Sequence, residues 1–343
     1  MRTLVTGGAG FIGSNFVRRL LREGTERSVT VLDKLTYAGR RENLDDVAGQ
    51  YGDRFRFLQG DICDPAAVSG AMEDCDEVIN FAAETHVDRS IDDAASFIRT
   101  DIEGVRVLLE EFRKRERRLF VQISTDEVYG SVERGRSRET DPLMPRSPYA
   151  ASKAGGELLA RSFWTTHSVP VVVTRSSNNY GPWQYPEKLI PLFVTNAFEG
   201  EPLPLYGDGG NARDWLYVED HCEALDLVLR RGEPGDVFNI GAGQEYTNRE
   251  VTTMILEATG ADPALVRFVS DRPGHDRRYA LDVSRAREEL GWEPSTEFPD
   301  GLLTTVTWLR DNRSWWEEIK SGRFREYYER MYRERLTNAG RTG

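Results

Sequence analysis

The 343-residue sequence has few of the residues that build disulfide frameworks and metal centres. It contains three cysteines, Cys63, Cys75 and Cys222, an odd number without C-x-x-C spacing. Such cysteines indicate reduced thiols in a cytoplasmic protein. The four histidines show no metal-ligand spacing. We therefore predict neither a disulfide framework nor a bound metal.

Excess positive charge and long apolar runs are also absent. The formal net charge is -12 and the isoelectric point is near 5.1. This balance argues against binding to nucleic acid or to an anionic membrane, because both need a basic surface. No apolar run is long enough to span a bilayer, and we find no leader peptide before the first strand. A small anionic ligand stays compatible with this composition, because it needs only a local cluster of arginine and lysine.

Glycine is concentrated in one turn near the start of the chain. Thr3–Thr6 predicts a strand, Gly7–Gly13 contains a G-x-G-x-x-G pattern, and Ser14–Arg22 predicts a helix. These glycines permit a tight turn that a pyrophosphate can approach, and the first amides of a helix favour phosphate. The pattern alone is weak, but between a strand and a helix it predicts a dinucleotide site.

Asp33 ends the next strand, Ser28–Asp33, about 20 positions after Gly13, where a carboxylate suits a ribose hydroxyl and repels a 2′-phosphate. This favours NAD over NADP, although Lys34, Arg40 and Arg41 are arguments for the phosphate form.

Strands and helices continue to alternate along the first half of the chain. The predicted strands are Arg54–Leu58, Asp76–Ala83, Leu119–Ile123 and Val169–Arg175, and the predicted helices are Asp92–Arg115 and Tyr149–Thr166. This order predicts an α/β fold with a Rossmann-type, doubly wound parallel sheet.

A change of composition near residue 180 predicts two domains. We assign 1–180 to an NAD-binding domain that carries the catalytic residues. We assign 181–343 to a smaller C-terminal α/β domain that binds substrate, with an approximate boundary across which elements can interleave. The final stretch, Trp308–Leu336, is rich in arginine, glutamate and aromatic residues and predicts a helix on the outside of the fold.

Two adjacent carboxylates follow the predicted strand Leu119–Ile123, in Ser124-Thr125-Asp126-Glu127. Ligands of open α/β sheets lie at the carboxyl ends of the strands. Asp126 and Glu127 at such a place can supply a general acid and a general base. A solvated loop is the alternative, and the downstream Tyr149 and Lys153 favour the functional interpretation.

Tyr149 and Lys153 are four residues apart and therefore share a helix face. An ammonium beside a phenol favours the phenolate and lowers its pKa. The pair predicts that Tyr149 removes a hydroxyl proton while a hydride leaves the same carbon.

These residues resemble the extended short-chain dehydrogenase/reductase superfamily and, within it, the dTDP-glucose 4,6-dehydratases. The resemblance covers nearly the whole chain, and Thr125-Asp126-Glu127 is its most specific part, because related epimerases lack the acidic pair. Thr85 is a departure, since serine is commoner there. The matching stretches are Gly7–Gly13, Ala82–Ser90, Thr125–Glu127, Tyr149–Lys153, Ser177–Pro182, Pro186–Pro191, Asn211–Trp215 and Arg272–Asp276.

The resemblance implies an NAD-dependent hydro-lyase of deoxysugar biosynthesis. The sugar is oxidised at C4, loses water across C5 and C6, and receives the hydride at C6, which gives the 4-keto-6-deoxy product. Tyr149 takes the 4-hydroxyl proton and Thr125 hydrogen-bonds the same oxygen. Glu127 removes the C5 proton, and Asp126 protonates the departing 6-hydroxyl. A homodimer through the Asp92–Arg115 and Tyr149–Thr166 helices is also implied.

The same resemblance assigns the remaining contacts. Cofactor residues are Gly7, Gly10, Phe11, Ile12, Gly13, Asp33, Lys34, Thr36, Ala38, Gly39, Asp61, Ile62, Phe81, Ala82, Ala83, Thr100, Ser124, Tyr149, Lys153 and Asn179. Substrate residues are Thr85, Thr125, Asn178, Glu187, Lys188, Leu189, Pro204, Tyr206, Arg213, Asn248, Arg272, His275 and Tyr279. The charges of Lys188, Arg213 and Arg272 suit a diphosphate, although each alone is compatible with a surface ion pair.

Two rival functions share the fold. A sugar-nucleotide 4-epimerase or decarboxylase would not eliminate water, and the acidic pair argues against it. A non-catalytic, NAD-sensing regulator would have lost Tyr149, Lys153 or the acidic pair, and all are present. Thymine as the base rests on the resemblance alone.

Overall fold

The computed structural model describes residues 1–24 and 26–339 and is built around a parallel sheet. The strands are β1 Arg2–Thr6, β2 Ser28–Asp33, β3 Phe55–Gln59, β4 Glu77–Asn80, β5 Leu119–Thr125, β6 Val171–Ser176, β7 Asn178–Tyr180, β8 Leu203–Tyr206, β9 Ala212–Tyr217, β10 Val237–Ile240, β11 Glu245–Thr247 and β12 Val266–Val269. The helices are α1 Phe11–Glu23, α2 Asp45–Tyr51, α3 Pro65–Met72, α4 Val87–Asp92, α5 Ala94–Ile98, α6 Val105–Phe112, α7 Pro148–His167, α8 Leu189–Glu199, α9 Val218–Arg231, α10 Asn248–Thr259, α11 Phe298–Asp311, α12 Arg313–Ser321 and α13 Arg323–Ala339.

Seven strands form the main sheet in the order β10-β6-β5-β4-β1-β2-β3, and all neighbouring pairs are parallel. β4 and β5 are fully buried, as expected when helices cover both faces of a parallel sheet. The order reverses between β1 and β4, which opens a crevice at the carboxyl ends of these strands. The predicted Rossmann-type, doubly wound sheet is confirmed.

The last strand of the main sheet comes from the second half of the chain. β10 pairs with β6, and α9 packs against α1 through a shared core that includes Phe16, Leu20, Leu225 and Val228. The two halves therefore interleave. The division near residue 180 stays a prediction.

The remaining strands form two small sheets, β11-β9-β7 and β12-β8. Helices α8, α10, α11, α12 and α13 contact these sheets or one another. Their shared core includes Tyr180, Phe193, Trp215, Phe298 and Trp316. The end of the chain, predicted as a helix on the outside of the fold, forms the end of α11 followed by α12 and α13, and its aromatic side chains Trp316, Phe324 and Tyr332 are buried against this core.

The single helix predicted over Asp92–Arg115 is divided in the structure. Asp93 accepts hydrogen bonds from the amides of Ala95 and Ser96, which starts α5 as a separate helix. Between α5 and α6 the backbone widens into a π-helical turn, Arg99–Gly104. Helix α7 approaches this turn so closely that a Cβ at Gly156 would lie 2.2 Å from the carbonyl oxygen of Asp101. Such turns often occur at functional sites.

Within the described ranges, no helix has both the length and the apolar character that a bilayer crossing requires.

Candidate active site

A cavity of about 340 Å³ opens at the crevice, a volume typical of ligand sites. The carboxyl ends of β1, β2, β4, β5 and β6 converge there. Every residue predicted to bind the cofactor lines this cavity. The lining also includes residues that we did not predict, among them Tyr37, Glu84 and Tyr185.

The glycine turn packs so tightly against neighbouring backbone that side chains would not fit at Gly7 or Gly13. Gly7 has φ +68°, and a Cβ at Gly13 would lie 2.4 Å from the carbonyl oxygen of Gly7. Gly10 precedes α1 and supplies no capping side chain, so the first amides of α1 stay available to an anion. The turn therefore fits a pyrophosphate.

Asp33 is held at the edge of the same cavity. Its carboxylate accepts hydrogen bonds from the amides of Ala9, at 2.9 Å, and Leu35, at 2.8 Å. Each oxygen retains a lone pair that a ribose hydroxyl can use. Lys34 forms an ion pair with Asp61 at 2.8 Å, so its charge is already engaged, which weakens the argument for a 2′-phosphate.

Several polar atoms of the described residues that line the cavity have no hydrogen-bond partner, and two of them belong to predicted cofactor residues. The hydroxyl oxygen of Ser124 and the amide oxygen of Asn179 are buried without a hydrogen bond. Buried polar atoms normally have partners, so these atoms indicate a ligand. Together with the glycine turn and Asp33, they fit a dinucleotide.

The acidic pair lies where β5 ends in a short 3₁₀ turn, Asp126–Tyr129. Thr125 begins the turn: its hydroxyl oxygen accepts from the amide of Glu127 at 3.3 Å and donates to Asp126 at 3.1 Å. Thr125 also hydrogen-bonds the Tyr149 hydroxyl. One hydroxyl therefore connects the acidic pair to the tyrosine of α7.

The two carboxyl groups have different electrostatic environments. Burial, and then the charge of Glu127, raise the pKa of Asp126 well above its usual value. Burial also raises the pKa of Glu127, but Arg272, Lys188 and Arg213 oppose this and favour its ionised form. Asp126 is thus suited to hold a proton and Glu127 to accept one.

Tyr149 and Lys153 lie on the face of α7 that points at β5. Ser147 caps the helix by accepting from the amide of Ala150 at 3.1 Å, and Lys153 donates to the carbonyl oxygen of Ile123 at 2.7 Å. Both side chains therefore line the dinucleotide cavity.

The prediction that Lys153 lowers the pKa of Tyr149 is wrong for the protein alone. Burial raises the pKa of Tyr149 well above its usual value, and the charges of Glu127 and Asp101 raise it further. Burial also lowers the pKa of Lys153. Phenolate formation therefore needs a positive charge beyond the one that Lys153 supplies.

Asp101 is a buried carboxyl that sequence reasoning missed. It accepts from the hydroxyl of Ser152 at 2.6 Å and from the amide of Glu84 at 3.2 Å. Burial raises its pKa to about 6. A signal was present, because Phe97, Asp101 and Val105 recur every four residues and so share the buried helical face.

A second cavity of about 140 Å³ adjoins the first and shares Glu127, Asn178, Lys188, Leu189 and Trp215 with it. The predicted substrate residues that line this second cavity are Asn178, Glu187, Lys188, Leu189, Pro204, Tyr206, Arg213, Asn248, Arg272 and His275. Thr85 and Thr125 line the first cavity instead. Tyr279 is not among the described residues lining either cavity, but its hydroxyl donates to Asp276 at 2.6 Å and lies 3.5 Å from Glu127.

The cations of this second cavity are fixed mainly by oxygen atoms of the backbone. Arg213 donates to the carbonyl oxygens of Ala212, at 2.8 Å, and Asp276, at 2.9 Å. Lys188 donates to the carbonyl oxygen of Thr85 at 2.8 Å. Because carbonyls carry no full charge, these two cations keep the capacity to bind a diphosphate.

The second cavity also contains residues that the sequence analysis did not assign. His86 and Asp88 come from α4 and the loop before it, and Tyr332 comes from α13. His86 and Asp88 lie in Ala82–Ser90, one of the stretches that carry the resemblance, so that stretch was a signal. Nothing local in the sequence indicated Tyr332.

Among the described residues, no cluster of three or more histidine, cysteine, aspartate or glutamate side chains is arranged to hold a metal ion.

The Rossmann sheet, its glycine turn and the Tyr149–Lys153 pair define an enzyme of the extended short-chain dehydrogenase/reductase class. Residues 4–305 match the family model described as GDP-mannose 4,6 dehydratase. A dTDP-glucose 4,6-dehydratase of Streptomyces niveus is 54% identical over 327 residues, which cover 94% of this chain and 96% of that protein. The chain belongs to the dTDP-glucose 4,6-dehydratase family, and the resemblance predicted from its motifs is confirmed.

Solved structures agree with this relationship. The dTDP-glucose 4,6-dehydratase DesIV from Streptomyces venezuelae, with NAD and TYD bound, has a TM-score of 0.91 and 51% identity, and the match covers 93% of this chain and all of that one. A UDP-glucose 4-epimerase of Thermus thermophilus, in complex with NAD, has a TM-score of 0.84 but only 35% identity, with 91% of this chain and all of that one covered. The fold is therefore shared with epimerases, whereas the sequence is closer to the dehydratases.

Proposed function

We propose that this enzyme dehydrates dTDP-glucose to dTDP-4-keto-6-deoxyglucose with NAD as its cofactor. The observation that carries the proposal is the acidic pair Asp126–Glu127, whose two carboxyl groups lie in different electrostatic environments beside Tyr149. A 4-epimerase moves no proton at C5 and expels no water, so it has no use for such a pair. The names of the relatives support the same substrate and cofactor.

The cofactor would lie along the first cavity, its pyrophosphate on Gly7–Gly13 and a ribose on Asp33. Bound there, NAD would supply the hydride acceptor for C4 of the sugar and, once reduced, the hydride donor for C6. Its oxidised ring is a cation, which is the kind of charge that Tyr149 lacks in the protein alone.

The chain's own residues move the protons. Tyr149 accepts the proton of the 4-hydroxyl, while Thr125 hydrogen-bonds the same oxygen. The resulting 4-keto group acidifies C5, and Glu127 removes the C5 proton. Asp126, whose pKa burial raises, gives its proton to the 6-hydroxyl as water leaves, and C5 takes back a proton when the hydride is added to C6.

The remaining assignments follow the two cavities. The predicted cofactor residues occupy the first cavity, and most of the predicted substrate residues occupy the second, which meets the first at Glu127. Arg213, Lys188 and Arg272 are placed to bind the diphosphate. A cytoplasmic location rests on the reduced cysteines and stays part of this proposal.

Labelled substrate tests the proposed reaction. Because the reaction is redox-neutral, substrate deuterated at C4 should give product that carries deuterium at C6 and has lost one water. Enzyme purified with its cofactor should need no added NAD. Mass spectrometry of a mixture of deuterated and unlabelled substrates, made distinguishable by a second label in the base, should show no exchange of deuterium between molecules. Return of the label to C4 without loss of water would instead indicate an epimerase.

We also propose that the enzyme is a homodimer through helices α5 and α7. Ile98 of α5 is 54% exposed and Leu158 of α7 is 52% exposed, and these two helices contact each other. Exposed apolar residues on adjoining helices are typical of an interface.

Light scattering should give about twice the 39.0 kDa chain mass, because burial of these side chains favours association. Leu158→Arg should shift the protein toward the monomer. Leu303→Arg is the matched control, because Leu303 is 56% exposed on α11. A monomeric wild-type protein, or equal effects of both variants, would contradict the proposed interface.

A further inference from the structure

Arg89 of α4 lies beside the substrate cavity, and the mechanism above gives it no role. Its Nε donates to Glu187 Oε1 at 2.8 Å, and its Nη2 donates to Glu187 Oε2 at 2.7 Å. The Glu187 side chain is 3% exposed and lines the second cavity. A carboxylate this deeply buried is stabilised by a cation that binds both of its oxygens.

The guanidinium of Arg89 is also held from both sides. Its central carbon lies 3.9 Å from the ring centroid of Tyr37 and 4.0 Å from that of Tyr327. Tyr37 lies in the loop after β2 and lines the cofactor cavity, whereas Tyr327 belongs to α13. Two aromatic rings at this distance stabilise a guanidinium and fix its plane.

A histidine completes the cluster. His86 Nδ1 lies 3.3 Å from Glu187 Oε1 and 3.3 Å from the hydroxyl oxygen of Tyr327. Burial lowers the pKa of His86 well below its usual value, so the imidazole is neutral and adds no charge. Arg89 therefore supplies the positive charge that is hydrogen-bonded to Glu187.

We propose that Arg89, clamped between Tyr37 and Tyr327, is a positioning residue that fixes the Glu187 carboxylate at the wall of the substrate cavity. The C-terminal helix α13 is then part of the substrate site, although it lies beyond the residues 4–305 that the family model matches. Tyr332 of the same helix supports this, because it also lines the second cavity and stacks on Tyr206 with ring centroids 6.1 Å apart.

This inference rests on the proposed function for the identity of its substrate. It predicts how the Michaelis constant and the turnover number change when Arg89 is altered. Burial lowers the pKa of the neighbouring Lys188 and the charge of Glu187 opposes that shift, but Arg89 is the residue that orients both carboxylate oxygens. Loss of the clamp should weaken binding equally in the ground state and the transition state. The Michaelis constant should then rise while turnover stays nearly constant.

Arg89→Lys is the main test, because lysine keeps the charge but loses the two-bond fork and the flat surface that the rings contact. We expect the Michaelis constant for dTDP-glucose to rise about tenfold, as for loss of a buried stacked guanidinium, with turnover within about twofold and bound NAD unchanged. Arg106→Lys is the matched control: Arg106 makes the same fork to Glu103, at 2.8 and 2.8 Å, on an exposed surface.

Tyr327 provides a second, independent pair of variants. Tyr327→Phe keeps the ring and should leave the Michaelis constant within about twofold of wild type, whereas Tyr327→Ala removes the ring and should raise it several-fold. Binding of thymidine diphosphate to the NAD-loaded enzyme, measured by calorimetry, should weaken in parallel in Arg89→Lys and Tyr327→Ala.

The calorimetric measurement separates this inference from the proposed function. If the wild-type enzyme binds the nucleotide but does not dehydrate the sugar, the proposed function fails while the clamp is still tested by binding. Unchanged nucleotide affinity in Arg89→Lys, or a fall in turnover and thermal stability with no change in the Michaelis constant, would show a merely structural role and overturn the inference.

Discussion

Glu127→Gln is expected to lower turnover by about 10²–10⁴-fold with little change in substrate binding. Glutamine has nearly the same shape but cannot accept the C5 proton. The wild-type rate should fall as the pH drops through the raised pKa of Glu127, because the base must be ionised. It should also fall as the pH rises through the raised pKa of Asp126, because the acid must be protonated. The limb that belongs to Glu127 should vanish in the variant, and a pH series of turnover measurements checks this.

Thermal unfolding separates this loss from misfolding. A carboxyl whose pKa is raised by folding stabilises the protein at low pH, and this contribution is lost as the pH rises through the folded pKa. At neutral pH the Glu127 carboxyl therefore destabilises the folded protein, and glutamine does not. The melting temperature of Glu127→Gln should not be lower than that of the wild type. Glu139→Gln is the control. Burial also raises the pKa of the Glu139 carboxyl, and Glu139 is not one of the described residues that line either cavity. Near-normal turnover in Glu127→Gln would exclude Glu127 as the base.

Tyr149→Phe is the second change with a large expected effect, again about 10²–10⁴-fold in turnover. The variant removes the hydroxyl that accepts the substrate proton, yet keeps the ring that packs edge-on against Phe97, with centroids 6.3 Å apart. Burial raises the pKa of Tyr149, and the positive charge of bound NAD would oppose this effect, so kcat/KM of the NAD-loaded enzyme should increase with pH along the limb of this group. That limb should be absent in the variant.

The step that Tyr149 serves can be observed directly. Mixing the wild-type enzyme with substrate should give a transient rise in reduced-cofactor absorbance, and Tyr149→Phe should abolish this transient. Tyr129→Phe is the control, since the Tyr129 hydroxyl donates to Asn239 at 2.8 Å, away from the cavities, and its pKa is also raised by burial. An unchanged transient in Tyr149→Phe would assign the oxidation base to another residue.

The sequence determined the central sheet and the framework of the site because the relevant signals are local. A strand, a glycine turn and a helix follow one another within Thr3–Arg22, and strands and helices continue to alternate along the first half of the chain. Once the strands are parallel, their carboxyl ends must meet at one edge. Asp33, Thr125 and Tyr149 could therefore be assigned to one crevice from the sequence alone, and they do line one cavity.

Other features depend on contacts between distant parts of the chain. β10 returns to the main sheet from beyond residue 180, and Tyr332 reaches the second cavity from α13. The local sequence of neither segment predicts which element it contacts. Hydrophobic periodicity indicates that one face of a segment is buried, but it does not indicate which element covers that face. The role of Arg89 could not be predicted from the local sequence for the same reason, because it depends on the distant rings of Tyr37 and Tyr327.

The electrostatics of the site were also decided only by the tertiary structure. Four-residue spacing on α7 correctly places Tyr149 and Lys153 beside the same cavity, but it led to the wrong direction for the pKa of Tyr149. That direction depends on burial and on the charges of Glu127 and Asp101, which come from other elements. Spacing along a helix fixes which side chains share a face, whereas a pKa sums the desolvation and charge of everything that folding brings around the group.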